Sequence, residues 1–261
     1  MLIKFFDFIG NKVIEICDGI GSFSFFIFDY LKNLFFTKLK FSKLFFQMEQ
    51  IGVNSLFMSI ITGAFTGAVL VIQSYKGFKQ FNGQHFIGSV VTLSMVRELG
   101  PVLSGFIVAG KSASSIAAEI GTMQISEQID ALRTLRINIF QYLIVPRILA
   151  DTIILPFLTL FSMIGGIAGG YLIAVQTLKM SSDQFTSNIK QMVEFFDVIG
   201  GLIKAAFFGF TLTTIGCFMG YHTKGGAKGV GVSTTKSVVY SFISILIINY
   251  FLAIILFNTG N

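Results

Sequence analysis

QIGVNSLFMSIITGAFTGAVLVIQSY, residues 50–75, contains no charged side chain. Coiled as an α-helix it is long enough to cross a bilayer, whose hydrocarbon core takes roughly 20 apolar residues to span. Four further stretches follow the same rule. Residues 152–178, 205–223 and 237–261 are uncharged, with Lys204 just inside the helix that contains the second of them. Residues 86–110 complete the set, although Arg97 and Glu98 interrupt them. The pattern predicts five transmembrane helices.

Composition points the same way. Of 261 residues, 53% are hydrophobic and only 12% charged, against about 25% charged in a soluble domain. Mean hydropathy is +0.78. A soluble fold leaves too much of its chain exposed to hide that apolar surface. The expectation is an all-α integral membrane protein, with N-terminal interfacial (elbow) helices followed by five transmembrane helices and a cytoplasmic coupling helix.

Residues 1–49 differ from the rest. Their longest uncharged stretch, residues 19–28, is too short to span. Asp7, Glu15 and Asp18 interrupt the apolar positions, and no small-residue cleavage site follows, so a signal peptide does not fit. Lys32, Lys38, Lys40 and Lys43 alternate with Phe35, Phe36, Phe41, Phe45 and Phe46. This is the composition of amphipathic helices lying in the interface, with lysines reaching toward anionic head groups. The expected division is 1–49 interfacial and 50–261 a five-span helical bundle, with a cytoplasmic connecting segment at about 111–140.

The formal charge of +6 reads as topology rather than as nucleic-acid binding, because the charges sit in short clusters between apolar runs. Residues 1–49, 111–147 and 221–236 carry thirteen Lys and Arg, and residues 76–85 and 179–197 carry four. The richer side is cytoplasmic by the positive-inside rule. Cys17 and Cys217 form no metal or redox spacing and predict reduced packing residues. Gly63/Gly67, Gly165/Gly169, Gly166/Gly170 and Gly216/Gly220 read GxxxG, which permits close helix approach; packing within one subunit is the plainer reading. Pro101, Pro146 and Pro156 fall in or beside spans, where they kink helices.

Several motifs bear on chemistry. Residues 105–112, GFIVAGKS, match the phosphate-binding loop GxxxxGK[ST]. That loop needs a strand before it and free backbone N–H groups. Here it ends an apolar helix, so no nucleotide site is expected. Arg97, Glu98 and Lys204 are ionisable groups at or near membrane depth, which face a cavity, a partner or a substrate path; the alternative is an ion pair holding the bundle together. Together they leave one positive charge over, and a lipid phosphate would balance it. Ser126 is the expected N-cap of a short helix, with Glu127 and Asp130 in its first turn and Arg133 near its end. Its apolar positions Ile125, Ile129 and Leu132 recur at helical spacing. Such a helix docks into a partner's groove or packs on its own bundle. His85 and His222 stand alone, no catalytic constellation is visible, and no cofactor is expected.

The run Arg97-Glu-Leu-Gly-Pro-Val-Leu103, Ala109-Gly-Lys111, Ala117-Ala-Glu119-Ile-Gly-Thr-Met123, Glu127-Gln-Ile-Asp130-Ala-Leu132 and Pro146-Arg147-Ile-Leu-Ala150 resembles the MlaE-type permeases. These are membrane subunits of lipid ABC transporters in Gram-negative bacteria, with relatives in plastid envelopes. Lys111 stands where the family usually has Arg. The resemblance implies a homodimer in the bacterial inner membrane (or the plastid inner envelope) that moves phospholipid and serves outer-membrane lipid asymmetry. It implies a cytoplasmic ATPase partner and a periplasmic MCE-domain carrier. It places Arg97, Glu98 and Lys204 on the substrate path, and Glu119, Glu127, Gln128, Asp130, Leu132 and Arg133 in the coupling region. The competing functions are a membrane-embedded lipid-modifying enzyme, for which no acid/base cluster is visible, and a structural anchor for an MCE protein.

The charge asymmetry makes the topology testable. A reporter fused after Asn261 should behave as periplasmic and one fused before Met1 as cytoplasmic; a cytoplasmic C-terminal reporter would reverse the assignment.

Overall fold

The computed structural model describes residues 2–36 and 41–257. Lys38, Lys40 and Asn261 lie outside them. Among the described residues all regular structure is helical. Helix α1 is Leu2–Phe36 and α2 is Phe41–Lys79. Helix α3 is Gln84–Ile125, α4 is the short Gln128–Thr134, and α5 is Phe140–Thr177. Two short helices, α6 (Ser182–Thr186) and α7 (Ile189–Met192), precede α8 (Phe195–Tyr221) and α9 (Gly226–Phe257).

Five helices, α2, α3, α5, α8 and α9, are long and apolar enough to cross a membrane. The spans found by charge-free length are therefore the spans of the fold, but each begins or ends beyond its uncharged run. The first starts at Phe41, so residues 41–49 continue into the spanning helix rather than forming a separate element. The second continues through Lys111 and Glu119 to Ile125, and the third takes in Arg147 and Asp151. Charge ends an uncharged run without ending a helix, provided the charge finds a partner.

The bundle is held by backbone proximity as much as by side chains. Among the described residues, helices α2 and α5 make the most extensive pairing. A Cβ on Gly67 would overlap the carbonyl of Gly166, and one on Gly63 the carbonyl of Ser162. Gly216 and Gly220 bring α8 against Ala113 and Ala117 of α3 in the same way. The GxxxG pairs are thus spent inside one chain. Helix α8 sits centrally, packing on α5, α9 and α3, and its Phe208 and Leu212 are fully buried with Val108 and Leu155.

Helix α1 is anchored by aromatic contact. Phe26 packs 5.1 Å from Phe140 and 5.6 Å from Phe218, and Tyr30 lies 5.8 Å from Phe210. Burial pushes the Tyr30 phenol up to about 12, so it stays neutral. Many apolar side chains face outward instead, among them Phe57, Phe65, Leu246 and Phe251. That inversion suits lipid as solvent and would be an aggregation liability in water.

The α2–α5 crossing gives a direct test. Gly67→Ile should lower stability by at least about 1–3 kcal/mol, the usual cost of overpacking. Gly77, on the same helix with nothing within 4 Å of a built Cβ, should accept alanine without loss. Thermal unfolding in detergent measures both, and equal melting of the two variants would refute the backbone-contact account.

Candidate functional site

Pro101 sets the site in motion. It has no N–H to give the carbonyl of Arg97, four residues back. The helix responds with a π-turn over Met95–Leu99, in which the Gly100 N–H reaches back to the Met95 carbonyl. The Arg97 carbonyl is filled from another helix: Lys204 Nζ of α8 donates to it at 3.1 Å. The same ammonium forms an ion pair with Glu98 Oε1 at 2.7 Å. Asn249 of α9 donates to the other carboxylate oxygen, Oε2, at 2.9 Å.

Arg97 turns to a different partner. Its Nε and Nη2 both lie 2.7 Å from Asp197 Oδ1. The second oxygen of Asp197 accepts the Glu194 backbone N–H at 2.9 Å, closing a capping box at the start of α8. The Phe257 ring lies 5.0 Å from the Arg97 guanidinium and 4.9 Å from the Lys204 ammonium.

Exposure separates roles within this cluster. The side chain of Lys204 is 0% exposed and that of Asp197 3%, whereas Arg97 and Glu98 keep 39% and 40%. The two buried residues position; the two half-exposed ones present a cation and an anion at the edge of the subunit. Arg97, Glu98 and Lys204 lie together, with Arg97 and Glu98 paired to different residues. Asp197 corrects the charge balance. The positive charge left over by those three is cancelled within the protein, so no phosphate is needed to neutralise the group. Asp197 lay in residues 179–197, which the charge count had set outside the spans. Its signal was spacing: it stands seven residues before Lys204, on the same face of one helix, and three after Glu194.

A second set of buried charges lies toward the other end of the bundle. Arg147 of α5 is 4% exposed, pairs with Glu119 at 2.7 Å and donates to the Leu143 carbonyl at 3.1 Å. One turn further, Asp151 is fully buried and accepts the Thr213 hydroxyl, while its Oδ1 has no hydrogen-bond partner. Neither Arg147 nor Asp151 stood out among the candidate site residues, because the charge-free rule started the third span after them.

The residues that the family resemblance placed in a coupling region divide between two elements. Glu119 lies on α3, in the pair just described, and Gln128, Asp130, Leu132 and Arg133 lie on α4. Ser126 is not the N-cap of α4. Helix α3 runs to Ile125, so the Ser126 hydroxyl donates back to the Thr122 carbonyl at 2.8 Å. Glu127 takes the cap position with φ +58°, a left-handed conformation that turns the chain sharply. On α4, Ile129 is fully buried and Leu132 packs with the same cluster, while Leu135 just beyond is 70% exposed. Arg133 bonds Asp130 at 2.9 Å and the Tyr221 hydroxyl at 2.5 Å, tying α4 to the end of α8.

Residues 105–112 are helical throughout, with a π-turn over Ala109–Ala113. The backbone N–H groups a phosphate loop would offer are engaged in the helix, and Lys111 Nζ donates to the Asn54 carbonyl. The motif match has no phosphate-loop geometry behind it.

The fold and its internally paired charges define a polytopic helical membrane protein with a polar seam between spans. The family description Permease MlaE matches residues 44–255. The chain is 43% identical over 258 residues to a probable ABC transporter permease protein of Rickettsia typhi, covering 99% of this chain and all of that one. It is 33% identical over the full length of both chains to the intermembrane phospholipid transport system permease protein MlaE of Haemophilus influenzae. It is 38% identical to the chloroplastic protein TRIGALACTOSYLDIACYLGLYCEROL 1 of Arabidopsis thaliana, over 81% of this chain and 61% of that one. The chain belongs to the MlaE permease family. It is a non-catalytic permease.

Lys204→Met should be costly, because it leaves Glu98 without its cation and the Arg97 carbonyl unfilled. Breaking a buried pair from one side typically costs about 3–5 kcal/mol. The exposed Lys228→Met should stay within about 0.5 kcal/mol of the parent. Unfolding in detergent compares them, and equal stabilities would remove Lys204 from its anchoring role.

Proposed function

We propose that the chain is the membrane subunit of an ABC transporter that moves phospholipid between the bacterial inner membrane and a periplasmic MCE-domain carrier. It would work as a homodimer, with ATP hydrolysed by a cytoplasmic partner. Family membership and the Haemophilus influenzae relative support the substrate class and the ATPase. The observation that carries the reading is the half exposure of Arg97 and Glu98. Their inner partners are sealed, yet each keeps about two-fifths of its surface at the rim of a span. Polar surface held at that depth serves a substrate path.

In this reading Arg97 offers its remaining donors to a head-group phosphate and Glu98 meets the cationic or hydroxyl part. Lys204 and Asp197 hold the pair at the rim. At the cytoplasmic end, Glu119, Glu127, Gln128, Asp130, Leu132 and Arg133 form the coupling region, with the N-terminus on the same side. Exposed Leu135 supplies an apolar knob for the ATPase.

Reconstituted transporter tests both ends. Glu98→Ala should cut transfer of labelled phospholipid to the carrier by tenfold or more, with ATPase and carrier still co-purifying. Asp130→Lys should instead weaken ATPase association, because it reverses an exposed charge on α4. A Glu98→Ala variant that assembles and transports at the parental rate would leave these charges as structural pairs.

A further inference from the structure

A cleft separate from the Arg97–Glu98 rim opens between α2 and α3 at the opposite end of the bundle. Fourteen residues of helix separate Arg97 from Lys111, about 21 Å at 1.5 Å per residue. The cleft encloses about 340 Å³. Its α2 wall carries Gln47, Gln50 and Asn54, and its α3 wall Lys111, Ser115 and Glu119. Spacings of three and four keep each trio on one helix face. Two polar faces that meet across open space within spanning helices mark a hydrated or ligand-bearing cavity, not a packing seam.

Two features bear on what this cleft can hold. Ser55 and Ser112 line it, are 1% and 7% exposed, and have no hydrogen-bond partner at their hydroxyls. Buried hydroxyls without partners are costly unless something else satisfies them. Lys111 also has no carboxylate within ion-pair distance among the described residues; its ammonium rests on a backbone carbonyl. Glu119 is already taken by Arg147. One spare cation and two spare hydroxyls are the donor set of a phosphate. Phe46, 55% exposed at the lip of the cleft, adds an apolar edge where an acyl chain can lie.

We infer that this cleft binds the phosphate of a membrane phospholipid, with Lys111 as its counter-ion and Ser55 and Ser112 as its neutral donors. It is a second head-group site, on the lysine-rich side of the membrane, and does not depend on the transport reading of the Arg97–Glu98 rim.

The chain has no tryptophan, so Phe46→Trp gives a lone reporter in the complete purified protein. In detergent, phosphatidylglycerol with brominated acyl chains should quench it saturably. Diacylglycerol with the same chains should quench only weakly. Lys111→Gln should raise the phosphatidylglycerol midpoint about tenfold, the scale of one charge-assisted hydrogen bond, and Lys111→Arg should hold it within about twofold. Ser112→Ala removes only an unsatisfied hydroxyl, so it folds, and it should raise the midpoint about threefold. Equal quenching by diacylglycerol, or midpoints unmoved by Lys111→Gln and Ser112→Ala, would overturn the site. Inorganic phosphate at 10 mM should leave the quench intact; its displacement of the lipid would make free phosphate the ligand and overturn the lipid assignment.

Discussion

A carbonyl released by proline inside a spanning helix has no backbone donor to turn to. In this chain that carbonyl belongs to Arg97, and the ammonium of Lys204 is what satisfies it. The consequences spread outward. To reach the carbonyl, Lys204 must be buried, and once buried it needs an anion, which Glu98 supplies. Glu98 in turn draws Asn249 of α9 inward. The π-turn that accommodates Pro101 also frees Arg97 from its neighbour, letting it pair with Asp197 at the head of α8. One missing N–H thus fastens three spanning helices at a single level.

The architecture was largely legible because lipid imposes a coarse rule. Twenty or so uncharged residues make a span, and residues 50–75 satisfy it without ambiguity. What the rule concealed is equally physical. It treats every charge as a boundary, yet Glu119, Arg147 and Asp151 lie inside helices because they meet partners from other elements. Those partners are far apart in sequence, and no local pattern announces them. Asp197 was hidden by the same error, since residues up to 197 were counted outside the spans while α8 starts at Phe195. Ser126 shows a subtler failure. A serine before Glu and Asp is a sound N-cap signal, but the preceding helix ran on past its uncharged stretch, about four turns to Ile125, and its Thr122 carbonyl claimed the hydroxyl.

The two groups of charge in the bundle are built differently. Near Arg97 the cluster is balanced, two cations against two carboxylates, and its outer members remain accessible. Toward Arg147 the carboxylate of Asp151 is sealed with one oxygen unpartnered, while Glu119 reaches outward. The first arrangement keeps its polarity available at the rim; the second stores an unsatisfied group deep in the packing, between α5 and α8.

The crossing of α2 on α5 has a mechanical meaning. Where two backbones touch with no side chains between them, no soft layer is available to shear. Gly63, Gly67 and Gly166 put carbonyl against Cα at successive turns, so the two helices form one stiff beam. Any reshaping of the protein during a working cycle has to carry that beam whole, and bending is left to the π-turns of α3 and to the looser contacts of α9.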